Sequence, residues 1–67
     1  MSQLNDRERD QVYTRCARAI STAGKEAESL FLARLALLLF EQIGEAKNCE
    51  EAIDAALRDL PTPSLSA

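Results

Sequence analysis

Apolar side chains recur at steps of three and four residues in the first third of the chain, a spacing typical of an amphipathic helix. This stripe consists of Val12, Tyr13, Cys16, Ala19, Ile20 and Ala23. Asn5 is a favourable N-cap, and Glu8 completes a capping-box pattern three residues later. Gly24 follows the last apolar position and is a natural stop. The pattern predicts a first helix from about Asp6 to about Thr22.

The next segment is apolar almost without interruption. Ten of the eleven residues from 30 to 40 are apolar, and the exception is Arg34. A helix that is apolar around its whole circumference needs cover on all sides. The run is too short for a membrane span, which needs about 20 apolar residues. We predict a central helix from about Lys25 to Ile43, the longest of three at about 28 Å, ended by Gly44.

Apolar residues spaced three and four positions apart recur in the last third of the chain. The apolar positions there are Cys49, Ala52, Ile53, Ala56, Leu57 and Leu60. Asn48 and Glu51 repeat the capping-box pattern, and Pro61 cannot continue a helix. The sequence therefore predicts a third helix from about Cys49 to about Asp59.

Ala and Leu dominate the composition, whereas Val, Ile and Thr are few, which favours helix over strand. A chain of 67 residues makes one domain. The predicted fold class is all-α: three helices with a long apolar central one, dimerising into a helical bundle. We assign residues 1–60 to a single helical domain and residues 61–67 to a disordered tail.

The expected dimer follows from the size of the chain. A core of 67 residues is marginal without disulfides, a metal or oligomerisation. The polar N-terminal residues do not resemble a secretory signal, so we expect a reducing, cytoplasmic location in which the two thiols persist. The chain has no histidine and no Cys-x-x-Cys motif, so we expect no metal and no cofactor. Oligomerisation is the option that remains.

The two outer helices offer only narrow stripes, so part of the central helix should lack cover within one chain. Fully burying one large apolar side chain contributes about 1.5–3 kcal/mol, which favours self-association about a two-fold axis. The first helix either packs on its own central helix or swaps onto that of the other copy. The predicted interface residues are Leu30, Leu32, Leu37, Leu39 and Phe40.

Charge excludes two classes of partner from the expected function. The net charge is −3, with 8 basic and 11 acidic residues, and an acidic chain repels the phosphate backbone of nucleic acids. A basic amphipathic face that would bind membrane surfaces is missing as well. We therefore expect a second copy of the chain as first partner and a larger protein as second, with neither nucleic acid nor membrane.

Arg34 is the most informative single residue, because a charge inside an apolar run needs a partner. Glu41 lies seven residues on and nearly on the same face of the helix. The favoured interpretation is an ion pair with an acid of a neighbouring helix. The alternative is a small apolar or anionic ligand bound in a leucine-lined cleft with Arg34 as polar anchor. For Tyr13 we expect a ring tucked against the core and an outward hydroxyl rather than catalysis.

Other residue types weigh against an enzyme. The serines have no histidine partner for a nucleophilic triad, and the two glycines, twenty residues apart, form no phosphate loop. Cys16 and Cys49 lie on apolar stripes, which favours packing over a redox pair. Glu50, Glu51 and Asp54 have no histidine with which to build a bundle di-metal site, so we interpret them as a solvated helix face.

Several segments resemble a family of short bacterial proteins of unknown function, over roughly residues 4 to 57. These segments are Ala33-Arg34-Leu35-Ala36-Leu37-Leu38-Leu39, Ile43-Gly44-Glu45, Asp10-x-x-Tyr13 and Glu51-Ala52-Ile53. The chain has Glu41-Gln42 where the family has Asn-His, so a role of that histidine would not carry over. The resemblance implies an all-helical fold and no activity. From the apolar central helix, and not from the resemblance, we predict a homodimeric protein-interaction module and, as a further expectation, a role as accessory subunit of a larger protein.

Overall fold

A computed structural model describes residues 3–61. These residues form three α-helices, α1 (Asp6–Ala23), α2 (Glu28–Ile43) and α3 (Ala46–Leu57), and contain no strand. The predicted all-α class is confirmed. Apart from Pro61, the predicted disordered tail lies outside the described residues, and the single domain over residues 1–60 stays a prediction.

Helix α1 begins and ends where the sequence predicts. The Glu8 main-chain N–H donates to Asn5 Oδ1 at 2.8 Å, and the Asn5 N–H donates to Glu8 Oε1 at 3.0 Å. This capping box satisfies two N–H groups that a helix start leaves without partners. At the other end Gly24 adopts φ 83° and donates its N–H to the Ile20 carbonyl at 3.1 Å. The capping-box prediction is confirmed.

Helix α2 starts three residues later than predicted. Residues 25–27 form a turn in which the Ala27 N–H donates to the Gly24 carbonyl at 3.1 Å. These residues are needed to connect the helices, so α2 has 16 residues and a length of about 24 Å. With 18 residues α1 is longer, and the prediction that the central helix is the longest is wrong. Gly44 at φ 71° ends α2 as predicted.

Helix α3 departs most from the prediction. It starts at Ala46 after the N-cap Glu45, whose side chain makes no capping hydrogen bond. Asn48 lies inside the first turn, where its Nδ2 donates to Glu45 Oε1, so the predicted capping box of Asn48 and Glu51 is wrong. Only Gly44 and Glu45 separate α2 from α3, so the chain re-enters a helix before it reaches the better capping residue.

The end of α3 also differs from the prediction. The helix stops at Leu57, with Arg58 as C-cap, and Asp59 adopts φ 59° rather than a helical conformation. Pro61 keeps Leu60, the residue before it, out of the helical region, so the helix cannot extend past Asp59. The structure ends it two residues before Asp59, where the main chain turns to a positive φ.

Asn5 and Asn48 lie in similar capping patterns in the sequence, but they should contribute differently to the free energy of unfolding. We expect Asn5→Ala to lower the free energy of unfolding by about 1 kcal/mol, because it removes a real N-cap. The matched control is Asn48→Ala, which places a better helix former inside α3 and should be neutral within about 0.5 kcal/mol. Urea denaturation followed by circular dichroism measures both. Equal losses at the two positions would contradict the assigned helix starts.

Contacts divide the chain into two units, Met1–Ala36 and Leu37–Ala67, so that α2 belongs to both. In the first unit Ala19, Ile20 and Ala23 of α1 are half-buried, as are Phe31 and Leu35 of α2. In the second unit Phe40 and Cys49 are half-buried. Among residues 3–61 no helix has the length and apolar character that a membrane crossing requires.

Candidate interaction surface

Apolar surface is the main chemical feature of this chain. No side chain of residues 3–61 is buried, and twelve large hydrophobic side chains expose between 42% and 66% of their surface. Single exposed apolar side chains are ordinary, but contiguous apolar patches mark interaction sites. The central helix contributes six of the twelve, which makes it the candidate interaction surface.

The structure places four of the five predicted interface residues at the surface of α2. Leu30, Leu32, Leu37 and Leu39 are exposed. Phe40 differs because it is half-buried, and its main-chain carbonyl accepts a weak hydrogen bond from the Cys49 thiol, with Sγ and O 3.7 Å apart. Phe40 thus takes part in the contact between α2 and α3, whereas the leucines are available to a partner.

Sequence reasoning missed two exposed side chains of α2. Leu38 exposes 66% of its surface, the largest fraction among the large hydrophobic side chains of the described residues, and Ile43 is exposed as well. The signal was present in the sequence, since Leu38 lies in the same apolar run as its neighbours. Periodicity cannot find such a residue when every face of a helix is apolar.

The apolar stripes of α1 and α3 are shielded over only part of their length. On α1 the stripe is half-buried from Cys16 onward, but Val12 is exposed. On α3 only Asn48 and Cys49 are half-buried, while Ile53 and Leu57 are exposed. The outer parts of these two stripes are thus not covered by other residues of the described range 3–61.

Arg34 and Glu41 are both exposed on α2. The salt bridge found among residues 3–61 joins Arg9 and Asp6, with Nη1 and Oδ1 3.2 Å apart, and Arg9 also donates to the Leu4 carbonyl. Arg34 therefore forms no ion pair with an acid of its own chain within the described residues. An ion pair across a dimer and the role of ligand anchor both stay predictions.

Tyr13 does not have the predicted environment. Its side chain is 64% exposed, so the expectation of a ring tucked against the core is wrong for the single chain. The reason is its position on α1, since shielding of the apolar stripe starts only at Cys16.

Cysteine and acidic side chains are the groups of this chain that could carry metal or redox chemistry. Cys16 and Cys49 are free thiols, each half-buried and each in a different unit, and the choice between packing and a redox pair stays open. No three or more Cys, Asp or Glu side chains of the described chain are grouped so that they could hold a metal ion. Glu50, Glu51 and Asp54 are exposed, as expected of a solvated helix face.

Comparisons with protein-family models, with curated proteins and with solved structures find no significant match to this chain. The resemblance to short bacterial helical proteins thus stays a prediction.

Proposed function

We propose that this chain is a protein-interaction module that acts as a homodimer through its central helix. The observation that carries the proposal is the exposure of Leu30, Leu32, Leu37 and Leu39 on α2 in the single chain. A helix this apolar is stable in water when its faces are covered. A second copy is the simplest cover, because one surface patch then serves both partners.

The free energy gained when a dimer buries these leucines supports the proposal. The four leucines expose 42–63% of their surface, so burying the remainder contributes about 1 kcal/mol for each side chain. Leu30 and Leu37 lie on one side of α2, whereas Leu32 and Leu39 lie on the opposite side, so one helix pair covers only two of the four, together with the exposed Leu38 beside them. Two copies then contribute six such side chains, and the sum is on the order of 6 kcal/mol for one dimer. This is comparable to the whole free energy of unfolding of a small domain, about 5–15 kcal/mol. Association at α2 can therefore decide whether the chain is folded.

A larger protein as second partner is the next part of the proposal. Support comes from apolar side chains outside α2, among them Val12 on α1 and Ile53 on α3, which are also exposed. If the dimer leaves them uncovered, they offer a surface to a further protein. In that role the chain is a cytoplasmic accessory subunit.

Molar mass in solution tests the homodimer directly. We expect light scattering to give twice the 7.4 kDa of one chain, and this value should persist on dilution to micromolar concentration. The reason is that an interface with six buried leucines, Leu30, Leu37 and Leu38 from each copy, should hold at such concentrations. A monodisperse, stably helical monomer at high concentration would contradict the proposal.

A further inference from the structure

The most exposed side of α2 carries charges as well as leucines. Leu30, Leu37 and Leu38 expose 62%, 63% and 66% of their surfaces. Arg34 and Glu41 are exposed between and beside them. The five positions follow the spacing i, i+4, i+7, i+8 and i+11, which places them on one side of a helix. We call these five residues the central stripe.

Four of the five positions of the central stripe, all except Leu30, are arranged symmetrically about the midpoint between Leu37 and Leu38. Arg34 lies three residues before Leu37, and Glu41 lies three residues after Leu38. The two charges are thus equally far from the midpoint between the two leucines. The two charges are therefore about 10.5 Å apart along the helix axis at 1.5 Å per residue. Helix side chains pair across three or four residues, not seven, so Arg34 and Glu41 do not pair with each other within α2, and both are available to charges of a second helix.

We propose that two copies of the chain pair their α2 helices in antiparallel orientation, with the two-fold axis passing between Leu37 and Leu38. The inference rests on the proposed homodimer and specifies its geometry. In this register Leu37 of one copy lies opposite Leu38 of the partner subunit. Arg34 lies opposite Glu41 of the partner subunit, and the symmetry repeats this ion pair on the other side.

The charges select this orientation over the parallel one. In a parallel, in-register pair Arg34 faces Arg34 of the partner subunit, and Glu41 faces Glu41 of the partner subunit. Such like-charge contacts oppose association, whereas complementary charges set the orientation of an interface. The leucines supply the affinity, and the two ion pairs supply the register.

Cysteine cross-linking tests the orientation in a chain whose native thiols are removed by Cys16→Ala and Cys49→Ala. One preparation carries Arg34→Cys, a second carries Glu41→Cys, and a third is refolded from an equal mixture of both. We expect disulfide-linked dimers on oxidation of the mixture only. In the antiparallel pair, residue 34 of one copy is offset from residue 34 of the other by about 10.5 Å along the helix axis, and the same holds for residue 41. This offset exceeds the roughly 7 Å between Cα atoms that a disulfide allows.

Leu38→Cys in the same background is the control for the interface itself. It lies beside the proposed axis and should cross-link alone, in either orientation. Light scattering of each reduced variant shows in parallel whether the dimer is retained.

Charge reversal gives a second, independent measurement. We expect Arg34→Glu and Glu41→Arg each to raise the dimer dissociation constant about tenfold or more, since each creates two like-charge contacts. The double variant should return to within about threefold of the parent, because it restores both ion pairs with their signs exchanged.

The outcomes separate this inference from the proposed homodimer. A dimer that cross-links through Arg34→Cys alone, or that fails to cross-link through Leu38→Cys, overturns the antiparallel arrangement and leaves the homodimer standing. A monomer by light scattering overturns both and makes a different protein the occupant of the central stripe. Cross-linking in the mixture alone, together with rescue in the double charge reversal, supports the antiparallel pair.

Discussion

Replacing Leu37 with aspartate is expected to abolish the dimer and most of the helical circular dichroism signal at micromolar concentration. Each copy loses about 1 kcal/mol from the burial of Leu37, and placing a carboxylate in an apolar contact costs about 2 kcal/mol more. The two-fold axis doubles the effect, so the loss is on the order of 6 kcal/mol for the dimer, or about 10⁴-fold in the dissociation constant. Sedimentation velocity and far-ultraviolet circular dichroism measure mass and helix content in the same samples.

Leu60→Asp is the matched control for this variant. Leu60 exposes 63% of its surface in the single chain, the same fraction as Leu37, but it follows α3 and lies outside α2. If only exposure within one chain mattered, the two variants would behave alike. We expect Leu60→Asp to stay dimeric and to change the free energy of unfolding by about 0.5 kcal/mol or less. Equal behaviour of the two variants would speak against an interface on α2.

The thermal midpoint should depend strongly on chain concentration. Folding coupled to dimerisation follows mass action, so a hundredfold dilution costs about 2.7 kcal/mol for each dimer. With an unfolding entropy of about 2.1 cal/mol/K for each residue, this shift lowers the midpoint by about 10 °C. Circular dichroism melts at 2 μM and 200 μM (about the practical range of the method) measure the difference.

The effect has its own control. Leu60→Asp, which should stay dimeric, is expected to show the same concentration dependence as the parent chain, because its unfolding still involves dissociation. A midpoint of the parent chain that stays constant over the dilution would show that each chain folds alone.

Local signals allowed accurate prediction of some elements of this fold. The start of α1 depends on Asn5 and Glu8, three residues apart, and both hydrogen bonds of the capping box are present. The ends of α1 and α2 depend on Gly24 and Gly44, which adopt positive φ angles at little cost. These features need nothing from the rest of the molecule.

The starts of α2 and α3 were predicted less well because connections decided them. The turn over residues 25–27 delays α2, whereas the short link through Gly44 and Glu45 starts α3 early. Asn48 and Glu51 match a capping box in sequence but lie within a helix that has already begun. A capping pattern shows that a helix can begin at that position, but it does not show that the helix begins there.

The same distinction between local sequence signals and tertiary contacts applies to the candidate interaction surface. Three features could be predicted from residue types and their order: which residues are apolar, roughly where the three helices lie, and that Arg34 interrupts the apolar run. Which of these side chains stay uncovered depended on helix packing, since Leu38 is exposed, Phe40 half-buried and Tyr13 exposed. The physical reason is that periodicity is a property of one helix, whereas exposure depends on which other helix, if any, lies against each face.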